Sequence, residues 1–218
     1  MKSLYLSSYN FGRAPEVLAD LVAPRARAAI IMNATDVYAP DLRPAYVESY
    51  AAVLAGLGID SDELDLRDYF GEPRELEARL SRYGLIWSAG GNAFVLRRAM
   101  RYTGFDAIAA NLVETGDLVY AGCSAGAIVA TPTLAGIEFA DDPNDVPAGY
   151  EAEIIWDGLD LFGKSIAPHY RSGHPESAVM ENVIRSFTER GLTFQALRDG
   201  EAIVVRGDDI RIVGQPAQ

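Results

Sequence analysis

Short apolar runs alternate along this chain with longer segments of helical periodicity, and this alternation constrains the fold more than any other feature. The runs that predict buried strands are Ser3–Ser7, Ala28–Met32, Ile59–Leu66, Gly84–Ser88 and Leu118–Ala121. The segments that predict helices are Pro15–Val22, Ala45–Leu57, Arg74–Tyr83, Asn92–Tyr102 and Phe105–Glu114. Strands that alternate with helices, with few hairpin signals between them, pair in parallel and are covered by helices on both faces. We therefore expect a three-layer α/β fold with a mostly parallel sheet.

The C-terminal segment follows a different pattern. Ala202–Arg206 and Ile210–Val213 are apolar runs separated by a short turn, which predicts a β-hairpin. Neither a repeat nor a linker divides the sequence, and 218 residues are enough to bury one full hydrophobic core. We expect a single α/β domain over residues 1–218 that ends in this hairpin.

Charge and composition argue against several classes of protein. The chain has 19 Lys and Arg residues against 31 Asp and Glu residues, a formal net charge of −12, whereas nucleic-acid-binding proteins present clustered basic residues. Arg97, Arg98 and Arg101 do cluster, but they fit the solvated face of a helix. The single cysteine, Cys123, leaves no partner for an intrachain disulfide. No apolar run is long enough to cross a membrane, so we expect a cytoplasmic protein that binds neither nucleic acid nor a membrane.

A serine flanked by glycines follows one of the predicted strands. Residues 122–126 read Gly-Cys-Ser-Ala-Gly, which places Ser124 between a strand and a helix. A nucleophilic serine on such a tight turn brings its backbone close to neighbouring elements, and small flanking residues permit this approach. The amide of Ala125, at the start of the helix, would stabilise an oxyanion formed there. The pattern predicts that Ser124 is the nucleophile of a hydrolase, and a helix cap at Ser124 is the alternative.

A pair of glycines lies in a similar position, after another predicted strand and before a helix. Gly90 and Gly91 allow positive φ and expose backbone amides, so the Gly91 amide is the candidate second donor of an oxyanion hole. Asn92 would cap the following helix and is also a candidate substrate contact. A phosphate-binding loop is disfavoured because no lysine follows at P-loop spacing.

The chain has two histidines, which occupy different kinds of position. His169 ends an apolar run, where a strand would deliver it to the carboxyl edge of the sheet. His174 lies in a loop, where we expect it to be exposed or to contact substrate. A serine nucleophile needs a general base, and histidine is the usual one. We therefore expect His169 to accept the proton of Ser124.

Four carboxylates lie in one loop between the serine and this histidine. They are Glu138, Asp141, Asp142 and Asp145. A carboxylate that accepts a hydrogen bond from the base orients the imidazole and stabilises its cation, and this loop could supply one. The residues by themselves leave the choice among the four open, and a solvated acidic loop or a cation site remains an alternative.

Together these motifs resemble the peptidase E family, the alpha-aspartyl dipeptidases, with cyanophycinases as more distant relatives. The matching segments, in chain order, are Leu4–Ser8, Gly90-Gly91-Asn92, the turn at Ser124, Pro132-Thr133, the Asn-Asp-Val-Pro loop at 144–147 and Pro168-His169 followed by an aromatic residue. The resemblance covers nearly the whole chain.

The resemblance implies a Ser–His–acid triad on a fold like that of class I glutamine amidotransferases. Such an enzyme would cleave a short peptide after its N-terminal residue, without a metal or cofactor. Ser124 would be the nucleophile and His169 the base, while Gly91 and Ala125 would form the oxyanion hole.

The acid of the family often lies in an Asn-Asp-Met-Pro loop, which the loop containing Asp145 resembles. Asp145 is therefore the expected acid. The stretch from the serine to Asp145 is longer than in aspartyl dipeptidases, and counting forward from the serine leads instead to Glu138. Glu138 is the second choice, since cyanophycinase-like members have a Glu there, and Asp142 is the third.

Substrate recognition departs from the family pattern. Aspartyl dipeptidases carry an arginine in the loop after the catalytic histidine, and the matching residues 173–178 lack it. Arg171 is the nearest substitute, and His174 is a second candidate contact. The expected function is that of a dipeptidase-like serine peptidase, with Asp-X peptides as candidate substrates. The alternatives are an amide hydrolase of glutamine-amidotransferase type that uses Cys123, and a non-catalytic binding domain of the same fold.

Overall fold

The computed structural model describes residues 1–24 and 26–215, and a seven-stranded sheet forms its centre. The strands of this sheet are β1 (Ser3–Ser7), β2 (Arg27–Ile31), β3 (Asp60–Glu63), β4 (Leu85–Ser88), β5 (Val119–Cys123), β8 (Ala202–Arg206) and β9 (Asp209–Val213). Their order is β3-β2-β4-β5-β1-β8-β9. The first five strands are parallel, and the β8–β9 hairpin joins β1 in antiparallel orientation. The prediction of a mostly parallel sheet that ends in a hairpin is confirmed.

Each face of the sheet carries its own hydrophobic core, because successive side chains of a strand point to opposite faces. Within β2, Ala29 and Ile31 belong to one core, and Ala28 and Ile30 belong to the other. Helices α1 (Glu16–Ala19) and α2 (Arg43–Gly56) cover the face of Ile30. The opposite face is covered by α3 (Pro73–Leu80), α4 (Ala93–Thr103), α5 (Phe105–Thr115), α6 (Ala125–Ile128) and α7 (Ser177–Glu189). Helices therefore lie on both faces, as the sequence predicts.

The segment that precedes His169 does not join the main sheet. Strand β6 (Ser165–Ala167) pairs in parallel with β7 (Phe194–Ala196) in a separate two-stranded sheet. The expectation that a strand of the main sheet would carry His169 is therefore wrong. The small sheet packs against α6 and α7, because β6 is buried along its whole length and needs apolar cover on both sides.

Two arginines of α4 lie in the interior, so the expectation that they occupy a solvated helix face is wrong. Arg97 forms a bidentate pair with Asp106, with both N···O distances at 2.8 Å. Arg98 donates to backbone carbonyls of the segment 143–153, at distances from 2.6 to 3.4 Å. Buried guanidinium groups are tolerated when their N–H groups find such partners. Arg98 thereby fixes the acidic loop against α4, while Arg101 is half-exposed, as expected.

Three neighbouring parallel strands, β4, β5 and β1, end at the same edge of the main sheet. The glycine pair follows β4, Ser124 follows β5, and Ser8 follows β1. Crevices at the carboxyl ends of parallel strands are the usual position of active sites in sheets of this kind. Among residues 1–24 and 26–215, no helix combines the length and the apolar character that crossing a membrane requires.

Candidate active site

Ser124 occupies a strained backbone position between β5 and α6. Its φ of 49° and ψ of −115° lie outside the regions that residues with a side chain ordinarily adopt. The glycines on either side allow close backbone contacts. A Cβ on Gly122 would lie 2.7 Å from the carbonyl carbon of Gly126, and a Cβ on Gly126 would lie 2.1 Å from the carbonyl oxygen of Ser88. Small residues at both positions are therefore a steric requirement of this turn.

Three side chains form a hydrogen-bonded series at this edge of the sheet. The Nε2 atom of His169 lies 3.1 Å from the Oγ of Ser124. The Nδ1 atom of His169 lies 2.8 Å from the Oδ1 of Asp199. Since a carboxylate only accepts hydrogen bonds, it favours the tautomer in which Nδ1 carries the proton and Nε2 is free to accept. The arrangement can therefore take up the hydroxyl proton of Ser124.

Ser8 connects this series to the main sheet. Its buried Oγ accepts a hydrogen bond from the backbone N–H of His169 at 2.7 Å and lies 2.9 Å from Asp199 Oδ1, to which it can donate. The backbone N–H of Asp199 donates to the Oγ of Ser172 at 2.8 Å. His169 has a positive φ of 57°, which these contacts help to maintain. The imidazole and its carboxylate are thus held by Ser8, which follows β1 of the main sheet, and by Ser172, in the loop after His169.

The carboxylates expected to orient His169 lie elsewhere. The Oδ2 of Asp145 accepts a hydrogen bond from Asn92 at 3.1 Å, Glu138 pairs with Arg190 at 2.7 Å, and the exposed Asp142 accepts bonds from Asn144. The expected placement of Asp145, Glu138 or Asp142 beside His169 is therefore wrong. The physical reason is that Arg98 and the capping residue of α4 hold the acidic loop at the N-terminus of that helix.

Asp199 lies outside the segment between Ser124 and His169 in which the sequence predicts the acid, and so it is not among the predicted site residues. Asp199 comes thirty residues after His169, in the short loop between β7 and β8. A usable signal was present. The run Phe194–Leu197 is followed, after Arg198, by the pair Asp199-Gly200, and a polar residue shortly after a strand that runs parallel to β6 would lie at the same edge as His169.

The two proposed oxyanion donors lie close to the serine with their amides unoccupied. Within the described part of the chain, neither the Gly91 nor the Ala125 amide donates a hydrogen bond to another group. A Cβ on Gly90 would lie 3.2 Å from the Cβ of Ser124, so the glycine turn directly borders the serine. Gly91 has a φ of 136°, and a Cβ there would lie 2.4 Å from the carbonyl oxygen of Ala34. Glycine is required at position 91 on both counts.

The three candidate substrate contacts occupy different environments. Asn92 caps α4 by accepting bonds from the Phe94 and Val95 amides, while its Nδ2 donates to the acidic loop. Arg171 is 62 % exposed and pairs with Glu181 at 3.4 Å, outside the cavity. His174 lies in the cavity, with its ring stacked on that of His169 at 3.7 Å between centroids.

Burial sets the protonation behaviour of several groups near the serine. It lowers the pKa of His169 below the usual range for imidazole, although the hydrogen bond to Asp199 acts in the opposite direction. A neutral imidazole is the form that can accept a proton. Burial also raises the pKa of the Cys123 thiol to about 11, which disfavours the thiolate that a cysteine nucleophile requires. Desolvation likewise raises the pKa of Asp141 to about 7.

A cavity of about 450 Å³ opens in front of Ser124. Tyrosines form much of its wall, namely Tyr9, Tyr38, Tyr46 and Tyr50. Its size suits one or two amino-acid residues of a small ligand. At its mouth, the donor atoms of His169, His174 and Glu176 lie within 4.8 Å of one another and could hold a divalent metal ion. A metal bound there would compete with Ser124 for the Nε2 of His169.

A mostly parallel α/β sheet carries a serine, a histidine and a carboxylate in hydrogen-bonded series at its carboxyl edge, an arrangement that is typical of hydrolases. The chain belongs to peptidase family S51, whose family model matches residues 8–213. This membership confirms the resemblance to the peptidase E family and makes the protein a peptidase by family.

Individual relatives agree with this assignment. An uncharacterized peptidase of Listeria innocua is 29 % identical over 165 residues, which cover 76 % of this chain and 75 % of the relative. Peptidase E of Salmonella gallinarum is 35 % identical over 131 residues, which cover 60 % of this chain and 50 % of that protein.

Solved structures show the same fold. A candidate peptidase E protein of Listeria monocytogenes superimposes with a TM-score of 0.77 at 26 % identity and covers 99 % of both chains. A peptidase from an acI-B1 actinobacterium superimposes with a TM-score of 0.73, with 99 % of this chain and 88 % of that chain covered. Its identity of 17 % supports the fold alone.

Proposed function

We propose that this protein is a serine peptidase that cleaves short peptides after their N-terminal residue, as a dipeptidase does. The observation that carries the proposal is the hydrogen-bonded series in which His169 lies 3.1 Å from Ser124 and 2.8 Å from Asp199. Ser124 is the nucleophile, His169 the general base and Asp199 the carboxylate that orients it. Membership of peptidase family S51 supports the choice of a peptide bond as the target.

The first half of the reaction acylates the serine. His169 Nε2 takes the proton of Ser124 as Oγ forms a bond to the scissile carbonyl carbon, whose π electrons move to oxygen. The amides of Gly91 and Ala125 are proposed to donate hydrogen bonds to that oxyanion. When the tetrahedral intermediate collapses, the carbon–nitrogen bond breaks, and the imidazolium gives its proton to the departing amine.

The second half releases the N-terminal residue. Water enters in place of the amine, gives a proton to His169 and adds to the acyl carbon. The carbon–Oγ bond then breaks, and the imidazolium returns the proton to Ser124. Asp199 accepts the Nδ1 hydrogen bond throughout and stabilises the positive charge that His169 carries in each half.

Ser124→Ala tests the nucleophile. The substrates are X-Leu dipeptides and X-p-nitroanilides, beginning with Asp-Leu because the resemblance to aspartyl dipeptidases favours Asp-X peptides. We expect wild-type protein to hydrolyse members of this panel and Ser124→Ala to lose at least about 10³-fold in rate, as removal of a triad nucleophile does.

Ser81→Ala is the matched control, because Ser81 is exposed at the end of α3 and bonds only to a nearby backbone carbonyl. A fluorophosphonate probe followed by peptide mass spectrometry should label residue 124 in wild type and in the control. Undiminished hydrolysis in Ser124→Ala, or labelling at another residue, would overturn the assignment.

A further inference from the structure

Uncharged side chains make up most of the described lining of the cavity in front of Ser124. Among the described residues that line it there is no lysine or arginine, and Arg171 points away to Glu181. The basic groups are two imidazoles. His174 Nδ1 accepts a hydrogen bond from the backbone N–H of Glu176 at 3.2 Å, so this nitrogen is engaged with the backbone. His169 must be neutral to act as a base.

A negatively charged side chain, by contrast, lies close to Ser124 and His169. Glu176 lines the cavity, and its Oε2 lies 3.9 Å from the Nε2 of His169, beside the reacting atoms. Asp141 and Asp145 belong to the acidic loop, and their charges, with that of Glu176, act on the same neighbourhood. Together with burial, the charges of Asp141, Glu176 and Asp145 raise the pKa of Tyr38, another residue of the cavity wall. The charges of all three carboxylates therefore influence the part of the cavity wall that Tyr38 forms.

This distribution of charge discriminates between substrate groups. A second carboxylate, such as the side chain of an N-terminal aspartate, would lose hydration and approach Glu176 without a lysine or arginine of the described lining to offset the cost. The α-ammonium group of a peptide lies two bonds from the scissile carbonyl carbon, which is where Glu176 can reach it. The tyrosines, together with Met32 at the base of the cavity, offer an environment for an uncharged side chain.

We propose that the site takes peptides whose N-terminal residue has a free α-ammonium group and an uncharged side chain, with Glu176 binding the ammonium. This specificity rests on the function proposed above. It departs from the aspartyl preference that the family resemblance implies, and it gives Glu176 a role in binding substrate.

Three substrates distinguish recognition of the α-ammonium group from recognition of the uncharged side chain. Phe-Leu has both features, Asp-Leu has an acidic side chain, and N-acetyl-Phe-Leu lacks the ammonium. The assays contain EDTA, which removes metal from the cavity mouth. We expect the wild-type kcat/KM for Phe-Leu to be about 10-fold or more higher than the kcat/KM for Asp-Leu, and likewise higher than the kcat/KM for N-acetyl-Phe-Leu.

Glu176→Gln keeps the shape of the side chain and removes its charge. We expect it to lower kcat/KM for Phe-Leu by about 10-fold, mostly through KM, and to change that for N-acetyl-Phe-Leu by less than about 2-fold. Glu181→Gln is the control, since this exposed residue on α7 pairs with Arg171 away from the cavity. It should leave the kinetics with all three peptides unchanged.

Binding to intact peptide separates failure of this specificity from failure of the proposed function. In the Ser124→Ala background, calorimetry should show tighter binding of Phe-Leu than of Asp-Leu, and Glu176→Gln should weaken the binding of Phe-Leu. Equal or tighter binding of Asp-Leu would overturn the specificity even if Ser124 proves to be the nucleophile. An equal loss with free and acetylated peptides in Glu176→Gln would overturn the role of Glu176.

Discussion

Different parts of the molecule fix the side chains of the hydrogen-bonded series Ser124–His169–Asp199. Ser124 depends on a backbone turn that two glycines permit. His169 is held by the buried hydroxyl of Ser8 and by Asp199. Three of the five non-glycine residues with positive φ among the described residues, Asn10, Ser124 and His169, line the cavity. Strained backbone thus concentrates where the chemistry is proposed to occur.

Asp199→Asn should reduce kcat far more than Asp145→Asn. An amide at position 199 can donate to Nδ1 and so favour the wrong imidazole tautomer, and it no longer stabilises the imidazolium. We expect a loss of about 10²-fold or more. Asparagine at position 145 can still accept the hydrogen bond from Asn92, and it lies away from His169. Steady-state kinetics with the best dipeptide measures kcat for both variants. A larger loss of kcat in Asp145→Asn would indicate that Asp145, and not Asp199, is the carboxylate that orients His169.

The pH dependence of kcat/KM should show an acid limb below pH 6.5, the ordinary pKa of imidazole. The base must be neutral, and burial lowers the pKa of His169, so activity should persist to more acidic pH and fall only as pH drops through this lowered value. Asp141 has a pKa of about 7 and lies nearby, so Asp141→Asn is the control. An acid limb at or above pH 7 that Asp141→Asn leaves in place would contradict the prediction.

The candidate nucleophile and base could be found from sequence because local patterns mark them. The serine lies between two glycines that the turn requires, and His169 follows a short apolar strand. The carboxylate could not be found in this way. Its position depends on where β7 pairs, and the acidic loop is held back from His169 by a buried arginine that looked like a surface residue. Contacts between distant segments leave little trace in local spacing.

At the scale of elements, the turn from β5 into α6 is the least adaptable part of the site. Tyr120 of β5 donates a hydrogen bond to the carbonyl oxygen of Gly126 at 2.8 Å, and the chain at Gly126 passes against the end of β4. Two parallel strands and a helix start are therefore locked together within a few residues. A change in any of them moves the serine.

Gly126→Ala should destabilise the protein, because the new Cβ would lie 2.1 Å from the backbone oxygen of Ser88. We expect the free energy of unfolding in urea to fall by about 3 kcal/mol or more, the range of severe core overpacking and backbone strain. Gly163→Ala is the control, since no atom lies within 4 Å of a Cβ there. Equal unfolding free energies for the two variants would show that the turn relaxes more readily than its contacts indicate.

Elements with strong periodicity were predictable, and those defined by their packing were not. Strands β1, β2, β4 and β5 appear where the apolar runs predict them, within a few residues at each end. Pro15–Val22 contains only the short helix Glu16–Ala19. Strand β7 carries no strong pattern, because it is three half-buried residues whose partner is β6. Helix α7 buries Met180, Val183 and Phe187 at helical spacing, so its sequence carries a helical signal that the predicted helices do not include.

At the scale of the whole molecule, acidic residues exceed basic ones by 31 to 19. Several of the acidic groups serve inside the structure, where Asp106 pairs with Arg97 and Asp199 pairs with His169. Others converge on the cavity. From the sequence alone, the net charge indicates only solubility. In the structure, the acidic residues also contribute to the electrostatic potential of the cavity in which a substrate would bind.

The proposed nucleophile and base, Ser124 and His169, follow strands of different sheets, and Ser8 contacts His169 from the end of β1. A hydrolase built in this way works only in molecules whose two sheets are docked against each other. Its catalytic rate then depends on a local docking equilibrium as well as on chemistry, and partial opening of the small sheet would silence the enzyme while the main sheet stays folded.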